Sequence, residues 1–495
     1  LSVSALLIFV IIRFIIGDGD DAPPKSPSAK SIPGKGPLEP EEDSQAQAFY
    51  SRGYDLYCSG DQTTGIALIE QALELDPDHY DALKTLAVCY DWGGEHEKAA
   101  GYIQRAKDIA YNRGNNADLE TCNIYQAKIL HNWDLALRMF GDYLLNNPNA
   151  AITHIEMGYI LSRYKGDNKG ALEHYDLFFK KDPGNSSGRH ASAHNYTGTA
   201  CLYLGDFDKA IEAFTKYRDM CPDAGDPVSS LAGAYLFAGQ YKEAHSLYSS
   251  LLRLGDPAYT CHEGLGKTCA ETGRLRESNE HFHNYLGSVI FSGHKINGRL
   301  RIALNYLVQK DGDSFDRELA KIDEIDPEAS EACWLRGMRF ISLELDIDRA
   351  RAQLNRLTEL MERPFVFEET SHHEHLWGLI LLAEGRTLGA FEALERAERK
   401  SPREFFYFGK EYARVLLEAG RTDEAIEECD RLSQFNPNNP ELLMILCRAK
   451  VRKGDMDSAK EYYDRTLEVL AEADEDYVPL LDFKKELEKL DTIGS

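Results

Sequence analysis

The residues whose types and spacing could do chemistry are few. His372, His373 and His375 form a His-His-Glu-His run. Imidazoles this close suit a metal in principle. On a helix, however, His372 and His373 point about 100° apart and share no ligand face. No Cys or carboxylate stands nearby at a known ligand spacing, so the run is expected to be a solvated first turn and the metal-ligand set to be none. His190 and His194, four apart, share one helix face without further ligands. The ten cysteines include no Cys-x-x-Cys pair. Cys201, Cys269, Cys429 and Cys447 fall where a small apolar residue is expected, which favours core packing and a reducing compartment. Two glycosylation sequons, Asn185-Ser186-Ser187 and Asn195-Tyr196-Thr197, decide nothing. No nucleophile–base–orienter set and no Gly-rich phosphate loop stands out, so neither a catalytic residue nor a cofactor is assigned. One cluster suits binding. Lys410 and Arg414 are four apart, as are Arg448 and Arg452, each 38 residues after its counterpart. Four cations on one surface suit an acidic peptide or a C-terminal carboxylate. The competing reading is a solvated face paired with Glu411 and Glu418.

These residues are positioned by a repeated element. Gly53, Ala87, Ile124, Gly158, Gly198, Ala232, Gly266, Ala303, Gly337, Gly378, Ala413 and Cys447 follow one another at spacings of 34 to 41. Ala99, Ala136, Ala210, Ala244, Ala390, Ala425 and Ala459 come twelve residues after their counterparts, and Pro often closes the unit, as at Pro183, Pro222 and Pro437. Apolar residues recur at helical spacing around both small positions. Turns such as Gly205-Asp206 and Gly454-Asp455 end one helix and start the next. Glycine inside a helix costs about 1 kcal/mol against alanine. Its recurrence predicts a close helix–helix approach that a larger side chain would block.

This pattern resembles the tetratricopeptide repeat family, most clearly in NYTGTACLYLGDFDKAIEAFTKYRDMCP (195–222) and ARVLLEAGRTDEAIEECDRLSQFNP (413–437). The resemblance implies an all-α, right-handed solenoid of about twelve helix hairpins over residues 46–475. Its concave groove would be lined by the first helix of each pair and bind proteins or peptides. On that register Lys410, Arg414, Arg448 and Arg452 face the groove or its edge. The carboxylate-clamp members of the family use Lys, Arg and Asn in this general way, although matching Asn residues are absent here. Gly65, Ser278 and Phe315 stand where Ala is expected, and residues 300–362 are the weakest stretch, expected to be distorted or to mark a break between sub-arrays.

The ends differ from the array. Of the 16 residues Leu1–Ile16, 13 are apolar. A 16-residue helix spans about 24 Å, short of a roughly 30 Å hydrocarbon core, so a transmembrane helix starting upstream of Leu1 is the favoured reading. A signal peptide and a buried apolar segment are the alternatives. Residues 17–45 hold six of the 18 prolines and read as a disordered spacer. Residues 476–495 read as a polar capping helix and tail. An anchor, spacer and repeat array is also similar to the C-terminal half of bacterial membrane serine/threonine kinases, whose catalytic domain would lie upstream. No kinase motif is present in these residues.

Of 495 residues, 43% are hydrophobic and 28% charged, enough to bury a core. The 82 acidic and 56 basic residues give a net charge of −26, which argues against nucleic acid as a partner. The expected protein is therefore a non-enzymatic, membrane-tethered scaffold. The recruiting part of a kinase and a periplasmic or secreted assembly factor are the alternatives.

Overall fold

The computed structural model describes residues 42–489 except 59–61, 185–187, 222–224, 255–257, 363–368 and 401–404. The expected membrane helix (1–16) and nearly all of the spacer (17–45) lie outside the described residues. Among the described residues there is no strand, and no helix is long and apolar enough to cross a membrane.

Among the described residues twelve helix pairs follow one another, from Glu42–Cys58 with Gln62–Leu75 to Pro440–Lys453 with Met456–Val469, and Val478–Lys489 follows as a single helix. Contacts divide the chain into two compact units. One comprises residues up to Met157 with Asp176–Ala193, and the other Gly158–Tyr175 with His194 onward.

Small residues at Gly198, Gly266 and Gly378 sit where the two helices of a pair meet, while Gly337 of the ninth pair meets Leu376 of the tenth. A Cβ added at Gly198 would lie 2.7 Å from the Phe214 ring, one at Gly266 2.9 Å from Phe282, and one at Gly378 2.7 Å from Leu394. In each case the blocking side chain is 16 residues further on, in the second helix of the same pair. This contact offsets the helical cost of glycine, as the recurrence predicts. Gly266→Val is expected to destabilise by about 2–3 kcal/mol, because neither helix can retreat from an overpacked contact; denaturant unfolding of the variant measures it. The departures from the pattern are accommodated locally. Gly65 meets Gly53 backbone to backbone, Phe315 is fully buried, and the Ser278 hydroxyl donates to the Gly266 carbonyl at 2.8 Å.

The turns follow the Gly-Asp logic. Gly205, Gly273 and Gly454 adopt φ near +74°. Asp206 and Asp455 follow two of these glycines and cap the second helices, accepting from the N–H groups of Lys209 and Ser458; Asp311 caps in the same way after Lys310 at φ 60°, and Arg274 after Gly273 makes no side-chain cap. The ninth pair is distorted within the stretch marked as weak. Its first helix, Ser330–Arg339, runs into a π-helical turn at Phe340–Glu344, closed by Leu345 at φ 54°. The two compact units, however, part around residues 157–193 and not at 300–362.

Candidate partner-binding surface

The four cations of the sequence all have partners within the chain. Lys410, in the first helix of the eleventh pair (Phe405–Glu418), is buried, with Nζ 2.9 Å from Glu441 Oε1. Burial alone lowers a lysine, but the carboxylates of Glu271 and Glu441 override it and hold Lys410 above its ordinary value. It does not face an open groove. The reason is tertiary: another part of the array covers it. Arg414 pairs with Glu411 and Glu418 at 2.5 Å each. Burial works to raise the Glu411 carboxyl, and the Arg414 guanidinium brings it down to about 2. Arg448 pairs with Glu486 at 2.7 Å and lies 5.0 Å over the Phe483 ring, both on the last helix. Arg452 donates to the Leu417 carbonyl.

The cover over Lys410 is a seam within the second unit. Tight turns of the sixth, seventh and eighth pairs meet the chain around and after the twelfth. Asn436 Nδ2 donates to the Tyr241 hydroxyl at 3.1 Å, and Asn438 Nδ2 to the Gly239 carbonyl at 3.3 Å. Asn439 Nδ2 donates to Glu271 Oε2 at 2.8 Å, beside Lys410 and Glu441. The Asp474 N–H donates to the Gly273 carbonyl at 3.1 Å. Arg276 pairs with Asp476 at 2.6 Å and Lys310 with Asp482 at 2.8 Å, while the Val478 N–H donates to Gln309 Oε1 at 2.9 Å. Gly239 carries two requirements at once. Its φ is 73°, and a Cβ there would lie 2.2 Å from Asn436 Oδ1. Sequence reasoning missed this seam. Its only trace is the run Asn436-Pro437-Asn438-Asn439, whose amides are turn-formers on local grounds.

A cavity of about 610 Å³ opens beside the seam, also within the second unit. The Lys165–Asn168 turn and Tyr203 face Glu395, Glu398 and Arg399 of the tenth pair and Tyr412, Glu428, Arg431 and Phe435 of the eleventh. Arg431 bridges Glu398 at 2.7 Å and Glu428 at 2.6 Å. Burial pushes the Glu398 carboxyl up, partly opposed by Arg431. The lining mixes aromatic faces with both signs of charge, which suits a protein segment better than a small anion.

The histidine run is not a solvated turn throughout. His375 is fully buried. It accepts from Trp334 Nε1 at 3.3 Å and packs 5.0 Å from the Phe408 ring, while the His372 ring lies 4.4 Å from that of Trp334, tilted by 45°. The first helices of pairs nine, ten and eleven converge here, and the position, nearly two turns into Glu369–Ala383, becomes core. Burial brings the His375 pKa down to about 4. The unfolded chain, near 6.5, therefore binds the proton more readily. Its contribution is full above about 6.5 and is lost as pH falls towards 4, by up to about 3 kcal/mol. Stability measured across that window is expected to lose this part of its slope in His375→Leu.

Two family models, each described as a tetratricopeptide repeat, match residues 59–118, 381–440 and 416–481, and residues 160–225. No curated protein matches the chain. Among solved structures it is similar to yeast Tom70, with 15% identity, coverage of 84% of this chain and 97% of that one, and a TM-score of 0.42. It is also similar to a tetratricopeptide repeat protein from Parabacteroides merdae, with 18% identity, coverage of 54% and 98%, and a TM-score of 0.39. A third similarity is to the APC/C hetero-tetramer Cut9-Hcn1, with 12% identity, coverage of 89% and 96%, and a TM-score of 0.34.

Proposed function

Because this chain is a tetratricopeptide repeat protein, we propose that it is a scaffold that binds a segment of another protein in the cavity between the Lys165–Asn168 turn and the tenth and eleventh pairs. The observation that carries this reading is that cavity. At about 610 Å³ it is large enough for several side chains, and Tyr203, Tyr412 and Phe435 offer apolar faces between charges. Glu395, Glu398 and Glu428 are already paired with Arg399 and Arg431, so the lining favours a segment that brings apolar and hydrogen-bonding side chains without a large net charge. The chemistry is recognition, not turnover. The apolar run Leu1–Ile16 and the proline-rich stretch after it support a tether that holds this scaffold at a membrane.

A photo-reactive residue in place of Arg399 is expected to capture a partner from the source cells. The same residue in place of the exposed Lys216, on the second helix of the fifth pair, is expected not to. Equal capture from both positions would remove the cavity from the reading. Alkali extraction of membranes tests the tether: an anchored chain stays with the lipid.

A further inference from the structure

The second helix of the sixth pair (Tyr241–Leu254) and both helices of the seventh (Ala258–Glu271 and Leu275–Ser288) bring together ligand types that sequence spacing keeps apart. His245 Nε2, Cys269 Sγ and a Glu277 carboxylate oxygen all lie within 4.8 Å of one another. Glu277 Oε1 stands 3.5 Å from His245 Nε2 and 3.8 Å from His281 Nε2.

Each imidazole is held by its far nitrogen. His245 Nδ1 meets the Ser249 hydroxyl at 3.4 Å, and His281 Nδ1 meets His262 Nδ1 at 3.0 Å. Both Nε2 atoms are thereby turned towards the carboxylate, the arrangement in which an outer partner orients a metal-binding histidine. His245 Nε2 is also buried without a hydrogen-bond partner. The Glu277 carboxylate at 3.5 Å compensates it only loosely, and an ion between the two would complete both. Cys269 is fully buried beside it, and Arg274 engages the other oxygen of Glu277 at 3.1 Å, leaving Oε1 for the cluster.

We propose that His245, Cys269 and Glu277, with His281 as the fourth ligand, form a zinc-class metal site joining the sixth and seventh repeats. Two imidazoles, a thiolate and a carboxylate are a zinc donor set; calcium and magnesium require oxygen ligands throughout. Bonds of about 2.0–2.3 Å in a tetrahedron place ligand atoms roughly 3.3–3.8 Å apart. The two carboxylate–imidazole separations already fall there; His281 touches only the Glu277 end of the 4.8 Å group and closes on the other two ligands when the metal is bound. Zinc displaces the thiol proton to solvent, and its two positive charges are balanced by the thiolate and the carboxylate.

A second group, Asp91, His96 and His131, offers two imidazoles and a carboxylate in the first unit, all half-exposed and with no thiol. It is the control. In the full chain carrying His96→Ala, cobalt(II) is expected to bind at one equivalent with a thiolate-to-cobalt charge-transfer band, and zinc to displace it. Cys269→Ala is expected to abolish that band. Glu277→Gln, at a half-exposed position that leaves the helices intact, is expected to weaken zinc binding by more than the roughly 10–100-fold that loss of an outer partner costs. Absence of the thiolate band in the His96→Ala parent, or zinc affinity unchanged by Glu277→Gln, would overturn the site.

Discussion

Glu156→Ala is expected to destabilise the first unit by about 3–5 kcal/mol. Glu156 is 3% exposed and lies 2.6 Å from Lys128 Nζ, whose side chain is 10% exposed and 4.7 Å from the Tyr125 ring. The pair itself adds little net stability, because attraction in the interior is set against the desolvation of two ions. Removing one partner is different: the ammonium stays buried without its counter-charge. The double variant Lys128→Met with Glu156→Leu is therefore expected to recover most of the loss. Denaturant unfolding, with hydrogen exchange over residues 116–160 as the local readout, separates the two outcomes. If the single and double variants are equally unstable, the loss comes from packing and not from the orphaned charge.

Lys410→Ala is expected to cost the second unit about 2–3 kcal/mol, less than Glu156→Ala, because the Lys410 side chain is 8% exposed but its partner Glu441 is 50% exposed. Here two carboxylates, Glu271 and Glu441, lose the cation between them, and they belong to opposite sides of the seam. Hydrogen exchange is expected to rise at residues 434–439 and 472–482, far from the substitution in sequence. Arg448→Ala removes a cation from a more open pair and is expected to cost about 1 kcal/mol or less. A Lys410→Ala variant as stable as Arg448→Ala would mean that the seam does not depend on this charge.

The fold was legible because it is written locally and many times. Gly198 and Phe214, or Gly266 and Phe282, repeat one contact at one separation, and the Gly-Asp turns state where each helix ends. What the sequence concealed has no period. Lys410 and Arg414 share a helical spacing with Arg448 and Arg452, yet Lys410 is core and Arg414 is half-exposed. The difference is made by Glu271 and Asn439, the first of them 139 residues away in the chain. His375 was unreadable for the same reason. A polar residue near a helix start looks solvated until Trp334 and Phe408 are placed against it. The candidate metal ligands lie 24, 8 and 4 residues apart on three helices, a spacing no motif records.

Open arrays of repeats grow and shrink freely, because each repeat answers only to its neighbours. The seam removes that freedom. Tyr241 must find Asn436 and Arg276 must find Asp476, and the repeats between them set the distance those pairs span. Duplicating or deleting one repeat between the seventh and the eleventh would carry Asn436 and Asp476 past their counterparts by the rise of a whole helix pair. The number of repeats in this stretch is therefore a dimension of the molecule, as fixed as the strand number of a closed barrel.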